Sequence, residues 1–237
     1  MESNLNIFLP KYEKFCTKLI FYRIPKNAST SVYEHLGYLN IIKQNESLIT
    51  ENTDQRLYKK WFSPTHLKPS ELESIIGEGI KNYFSFCIVR NPWDRAVSMY
   101  KFAIKHKLYK LYGLKENCSF LDFCKILKKH KNDPFFIASH QQTQWVNCKH
   151  GPKTIIRFEN IEEEYYKMLE DLNIDFKYSL EKLNTTKHKH YSFYYTKRAK
   201  QIIQNVFIED IKQFGYFFEK KFEYKKEQKR KEGFLRF

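Results

Sequence analysis

The chain is poor in the residues that punctuate or staple a fold. Its 237 residues include only seven Gly, seven Pro and five Cys. So few Gly and Pro exclude low-complexity linkers and repeat-rich fibrous architectures. The cysteines (Cys16, Cys87, Cys118, Cys124, Cys148) are odd in number and form no CxxC pair. That excludes the usual zinc spacings and a disulfide framework, and it suits a reduced compartment. No apolar run approaches the roughly 20 residues that cross a bilayer. The apolar residues at 6–10 are too few for the core of a signal peptide, so a cytoplasmic protein is expected. Acidic residues are also in short supply, 27 against 42 Lys and Arg, for a net charge of +15. Such a balance calls for an anionic partner: nucleic acid, an acidic glycan, a phosphorylated cofactor or a membrane surface. Part of the excess is a Lys-dense tail that solvation alone explains.

Hydrophobic residues make up 42% of the chain and aromatics 17%, enough to bury a core. One domain over residues 1–218 is expected, followed by a basic tail at 219–237. Three apolar, β-prone runs, 19–24, 83–89 and 154–158, read as strands. Helical spacing or caps predict helices over 29–37, from 93 to about 106, 120–129, 162–172 and 197–214. Ser70 with Glu73 predicts a capping box for a short helix ending at Gly77. Residues 1–17 carry little pattern. Strands that alternate with helices predict a parallel α/β sheet with ligands at the strands' C-terminal ends.

Two of those strand ends suit anions. The first strand runs into PKNASTS, where backbone N–H groups from Asn27 to Ser31 open a helix. Helix N-termini of this kind attract phosphate. The hydroxyls of Ser29, Thr30 and Ser31 add donors there, and Lys26 adds a mobile charge. The glycines of a Walker A loop are missing. The second strand runs into RNPWDRAVS, with Arg90 at the strand end and Ser98 about two turns into the next helix. Arg90 can contact a phosphate in bidentate fashion, or it can pair with Asp94. Two anion-suited loops at the ends of two strands favour one ligand carrying two separate phosphates.

IPKNASTS followed by FSFCIVRNPWDRAVSMY resembles the paired signatures of sulfotransferases that use 3′-phosphoadenosine-5′-phosphosulfate. The nearest likeness is to carbohydrate sulfotransferases, including uronosyl 2-O-sulfotransferases. The similarity continues through IIRFENIEEEYYKML and IEDIKQFGYFF. It implies a three-layer α/β fold, a parallel sheet with helices on both faces, related to P-loop kinases. It also implies that Lys26, Asn27, Ala28, Ser29, Thr30 and Ser31 hold the 5′-phosphosulfate and that Arg90 and Ser98 hold the 3′-phosphate. Thr185, Thr186 and Lys187 of LNTTKHK match a loop that closes over the nucleotide in that family.

Sulfonate transfer requires removal of the acceptor's proton and stabilisation of the leaving phosphate, with no metal needed in principle. The resemblance implies His66, in THLKPSEL, as the base, with His140 and Glu71 in reserve, and it puts Lys26 at the leaving oxygen. A neutral imidazole suits the base role. His35, His106, His130 and His150 read as surface residues. The acceptor expected is a hydroxyl on an acidic oligosaccharide, met by the His140–Trp145 segment and by Lys59, Lys60, Lys68 and the 187–189 region. A basic nucleic-acid-binding protein leaves the two loops unexplained. A nucleotide kinase of related fold is disfavoured, because the chain lacks both the Walker A glycines and an evident magnesium carboxylate.

Overall fold

A computed structural model describes residues 7–8, 19–38, 66–176, 179–181 and 189–221. Four strands form one sheet in chain order: β1 (Ile7–Phe8), β2 (Leu19–Tyr22), β3 (Phe84–Val89) and β4 (Thr154–Arg157). β1 lies antiparallel on the outer edge of β2, while β2, β3 and β4 run parallel. The helices among the described residues are α1 (Ser29–Tyr38), α2 (Pro69–Ile76), α3 (Pro92–Lys105), α4 (Phe120–Lys129), α5 (Thr143–Val146), α6 (Ile161–Asp171), α7 (Lys197–Val206) and α8 (Ile208–Phe214).

β2 reads as an unbroken apolar run and β3 as one interrupted only by the buried Ser85, because both faces of each are covered, the usual consequence of parallel pairing. Leu19, Phe21, Phe86, Ile88 and Ile156 pack with Val32 and Leu36 of α1 and with Tyr165 and Leu169 of α6. The alternate positions Ile20, Tyr22, Cys87 and Val89 pack with Leu72 of α2, Trp145 of α5 and Phe214 of α8. A third core lies among α3, α4 and α7, built from Trp93, Ala96, Phe123, Ile203 and Phe207. The register sets Tyr22 opposite Cys87 and Val89 opposite Arg157. The ends of β2, β3 and β4 therefore open on the same edge of the sheet.

Side-chain caps open three of the helices. Asn91 accepts from the Trp93 N–H at 3.1 Å, with Pro92 in the first helical position, where its missing N–H costs nothing. Ser119 with Asp122 boxes α4, and Thr196 accepts from the Ala199 N–H at 3.1 Å to open α7.

Four expectations need correction. The cap of α2 lies two residues before Ser70, at Lys68, because Pro69 takes the first helical position and the Lys68 N–H donates to Glu71 Oε2 at 2.6 Å. Glu73 is spent instead on Lys149, at 3.3 Å, and His150, at 3.1 Å. The helix expected over 197–214 breaks at Phe207. The break sends Phe207 into the α3–α4–α7 core while Phe214 reaches the sheet. Residues 7–8 form a strand whose pairing comes from β2 rather than from their own pattern. His35 is not a surface residue: it is 1% exposed, in hydrogen-bond contact with the Tyr165 hydroxyl at 3.1 Å across the α1–α6 packing. Of the expected basic tail, residues 222–237 lie outside the described residues.

Candidate functional site

The loop between β2 and α1 has an unusual backbone. Lys26 and Ala28 hold positive φ, 70° and 56°, without being glycine. Side chains disfavour this region, at a cost of order 1–3 kcal/mol each. Turning the backbone left-handed beside a helix start makes a concave nest of N–H groups, which is an anion site. Val32 N–H to Ala28 O, at 3.1 Å, is the helix-type bond that begins α1. The amides from Ala28 to Ser31 precede it, in the turn that helix geometry leaves without i−4 acceptors.

Buried side chains hold this shape. Asn27 is 1% exposed and donates from Nδ2 to Ile88 O at 2.6 Å and to Gln142 Oε1 at 2.7 Å. Gln142 also accepts from the Arg90 N–H at 2.9 Å and donates to Arg90 O at 2.9 Å. Arg95 is fully buried and donates from Nε to Pro25 O at 3.1 Å and from Nη1 to His140 O at 3.0 Å. Its charge faces Asp210, Nη1 to Oδ2 at 3.9 Å. Burial pushes Arg95 down to about 10, so it stays charged at neutral pH. The two strand-end loops are thus tied to each other by side chains from α3 and from the segment entering α5.

Arg90 closes the link. It donates from Nη1 to Lys26 O at 2.9 Å, pairs with Asp94 (Nε at 2.8 Å, Nη2 at 2.7 Å) and lies 3.9 Å over the Phe158 ring. The pairing with Asp94 and a position at the anion loop are therefore both realised. Lys26 Nζ stands 3.8 Å over the Phe102 ring. Burial, with Arg90 and Lys105 nearby, pushes its ammonium down to about 8.

These groups border one cavity of about 390 Å³. Lys26, Ala28, Ser29, Thr30, Ser31, Arg90, Ser98 and His66 all line it. Asn27 belongs to the loop, but its side chain turns inward as a strut and does not line the cavity. Thr185, Thr186 and Lys187 lie outside the described residues. Leu180 and Glu181, just before them, line the cavity rim.

His66 Nδ1 sits 2.6 Å from Arg23 O. A carbonyl only accepts, so Nδ1 carries the proton and Nε2 keeps a lone pair. Burial pushes His66 down to about 4, against the opposing pull of that hydrogen bond. Its imidazole is neutral at physiological pH. The reserve candidates fall away. His140 is 3% exposed, donates from Nε2 to Asp133 O at 3.0 Å and does not line the cavity. Glu71 caps α2. In the His140–Trp145 segment His140, Gln142, Thr143 and Trp145 are buried and Gln144 is exposed, and none of these side chains lines the cavity. Lys59 and Lys60 fall outside the described residues, as do 187 and 188.

Sequence reasoning missed Gln142, Arg95 and Asp210, which shape the loops, and Phe102 and Phe158, which line the cavity. Only Arg95 left a trace, as the second arginine of RNPWDR. Among the described residues one set of potential metal ligands converges: Glu73, Glu78 and His150, within 4.8 Å. Lys149 already bridges both carboxylates, and none of the three lines the cavity. No helix among the described residues is long and apolar enough to cross a membrane.

A family model described as "Sulfotransferase family" matches residues 14–217. Comparison with curated proteins and with solved structures gave no significant match.

Proposed function

The chain belongs to the sulfotransferase family, and on that footing we propose that it transfers a sulfonate group from 3′-phosphoadenosine-5′-phosphosulfate to an acceptor hydroxyl. The observation that carries this reading is the pair of strand-end loops on one cavity, with Arg90 bonded to the Lys26 carbonyl. One loop offers amides and hydroxyls from Ala28 to Ser31 for the 5′-phosphosulfate. The other offers Arg90, oriented by Asp94, and Ser98 for the 3′-phosphate. A kinase-like fold with helices on both faces of the sheet is the architecture such a site implies.

Roles for the side chains follow from charge and position. Lys26 is the mobile cation of the first loop and stabilises the negative charge that develops on the leaving phosphate oxygen. An arriving polyanion favours its protonated form. His66 Nε2 takes the proton of the acceptor hydroxyl; its ring orientation is fixed by the Arg23 carbonyl, and general-base catalysis of this kind contributes about 10²–10⁴ in rate. Asn27, Gln142 and Arg95 hold the loops and touch no reacting atom.

Calorimetry with adenosine 3′,5′-bisphosphate tests the reading. Lys26→Ala and Arg90→Ala are each expected to weaken binding by tenfold or more, on the order of the 1.5–3 kcal/mol of a charge-assisted hydrogen bond. Unchanged affinity in both variants would sink the two-loop site.

A further inference from the structure

A second concave feature shares no residue with the strand-end cavity. It is a groove of about 510 Å³ between α4 and α7. The two helices run side by side in the same direction. Phe120, which opens α4, meets Tyr195, just before α7, with ring centroids 4.8 Å apart. Lys131, just past the end of α4, donates to Asn205 O, near the end of α7, at 2.8 Å. Phe123, Cys124 and Leu127 pack with Ala199, Ile202 and Ile203 beneath. The walls of the groove are therefore set by a core and not by the polar side chains that line it.

α4 gives the groove Lys125, Lys128 and Lys129, and α7 gives it Arg198, Gln201, Ile202 and Asn205. Cations thus stand on both walls. Lys125 pairs with Asp122 at 2.8 Å. Among the described residues no carboxylate pairs with Lys128, Lys129 or Arg198. Helix electrostatics accounts for only part of this. Lys128 and Lys129 occupy the last turn of α4, where a cation suits the helix dipole. Arg198 stands at the start of α7 with Lys197 and Lys200 beside it and no acidic residue in the turn, where the dipole disfavours cations. A cation set against its own helix, opposite three lysines, is an arrangement that a bound anion stabilises and the fold does not.

The remaining side chains narrow the kind of anion. Gln201 and Asn205 lie one turn apart on one helix face and are exposed. Each amide offers both a donor and an acceptor. A peptide main chain presents both in turn, whereas phosphate and sulfate chains present acceptors alone. From Arg198 to Asn205 the wall is about 10 Å long at the rise of a helix, the span of about three residues of extended peptide.

We propose that the α4–α7 groove docks an acidic peptide segment of a partner protein, with its carboxylates on Lys125, Lys128, Lys129 and Arg198 and its main chain on Gln201 and Asn205. The docking is independent of the chemistry assigned to the strand-end cavity.

The test uses the full chain and the fluorescence anisotropy of a labelled octaglutamate peptide at low salt, where exposed charges are least screened. An oligothymidylate and a heparin-derived oligosaccharide of equal charge, and phosphatidylserine vesicles, are the comparators. The triple variant Lys128→Ala, Lys129→Ala, Arg198→Ala should raise the Kd for octaglutamate about tenfold, the sum of three exposed ion pairs. Lys81→Ala, Lys167→Ala and Lys212→Ala together remove three exposed lysines elsewhere and should change the Kd by less than about twofold. The double variant Gln201→Ala, Asn205→Ala should weaken octaglutamate about threefold and leave the oligothymidylate and the oligosaccharide unchanged. All these side chains are exposed, so thermal melts should match wild type and report that each variant folds. No octaglutamate binding, or equal losses in the two triple variants, overturns the groove as a docking site. Groove-dependent binding in which a comparator exceeds the peptide, with no effect of the double variant, overturns the peptide assignment.

Discussion

Gln142 is the sharpest place to perturb the site without touching it. Gln142→Ala removes three hydrogen bonds at once: one from Asn27 at 2.7 Å, one from the Arg90 N–H at 2.9 Å and one to the Arg90 carbonyl at 2.9 Å. Gln142 is fully buried and Arg90 is 8% exposed, so water does not readily replace the lost partner. Each stranded buried group costs about 1–3 kcal/mol, and the members of a network do not add independently, which gives about 3–5 kcal/mol in total. For a chain of this size 1 kcal/mol lowers Tm by about 2–4 °C, so the expected fall is roughly 6–20 °C. Gln142→Glu is a matched control. It keeps the volume and both acceptor contacts but sets a carboxylate oxygen against the Arg90 carbonyl, and it should also destabilise. Thermal unfolding by circular dichroism measures the effect. Amide exchange over Ala28–Ser31 should rise in parallel, since Asn27 loses half of its anchorage. A Gln142→Ala protein that melts within 2 °C of wild type refutes the strut argument.

Three further outcomes follow from the same geometry. His66→Ala should lower kcat by about a hundredfold or more while leaving bisphosphate affinity within a few-fold, by steady-state kinetics and calorimetry; a wild-type rate removes His66 from the base role. Stability should fall as pH drops from about 6.5 to about 4. Burial holds both His66 and His140 down to about 4. An unfolded histidine takes its proton near 6.5, so the unfolded state binds more protons in that window, at a slope of at most about 1.4 kcal/mol per pH unit per histidine. Urea titrations across the window should show it, with a shallower slope in His140→Gln; a flat profile contradicts the burial argument. Asp210→Ala should destabilise by about 3–5 kcal/mol because it leaves the Arg95 charge buried without a counter-charge; a loss below 1 kcal/mol in denaturant unfolding argues against that pair.

What the sequence made legible was local. The handovers at Pro25 and Arg90 stand out because the hydrophobic period changes there from strand to helix within a few residues. The cap at Asn91 and the helix at Phe120–Lys129 likewise depend on neighbours in the chain. The groups that hold the loops were illegible for the opposite reason. Asn27 and Gln142 are 115 residues apart, and nothing in either neighbourhood distinguishes a buried strut from a surface amide. Gln142 even looked like a sugar ligand, because a glutamine beside an aromatic reads the same whether it faces solvent or core. His35 misled in the same way: a single histidine on a helix carries no mark of the tyrosine it meets from α6. The positive φ at Lys26 and Ala28 was hidden because neither residue is the glycine that usually announces such a turn.

The two-residue strand β1 has a consequence for how the molecule behaves in concentrated solution. A row of parallel strands ends on two flanks, each with free backbone donors and acceptors that can recruit another sheet. At β4 the flank is guarded by charge, with Lys153 and Arg157 bracketing the strand. At β2 the backbone belongs to Leu19, Ile20, Phe21 and Tyr22, none more than 2% exposed, and Ile7–Phe8 pair with its first half, Ile20 and Leu19. A chain lacking its first ten residues would keep the strand ends where the loops meet, yet lose the backbone partners of Leu19 and Ile20 on the outer side of β2. Its defect would surface as self-association that grows with protein concentration, before any loss of chemistry. Ile7 and Phe8 are in this sense guardians of monodispersity.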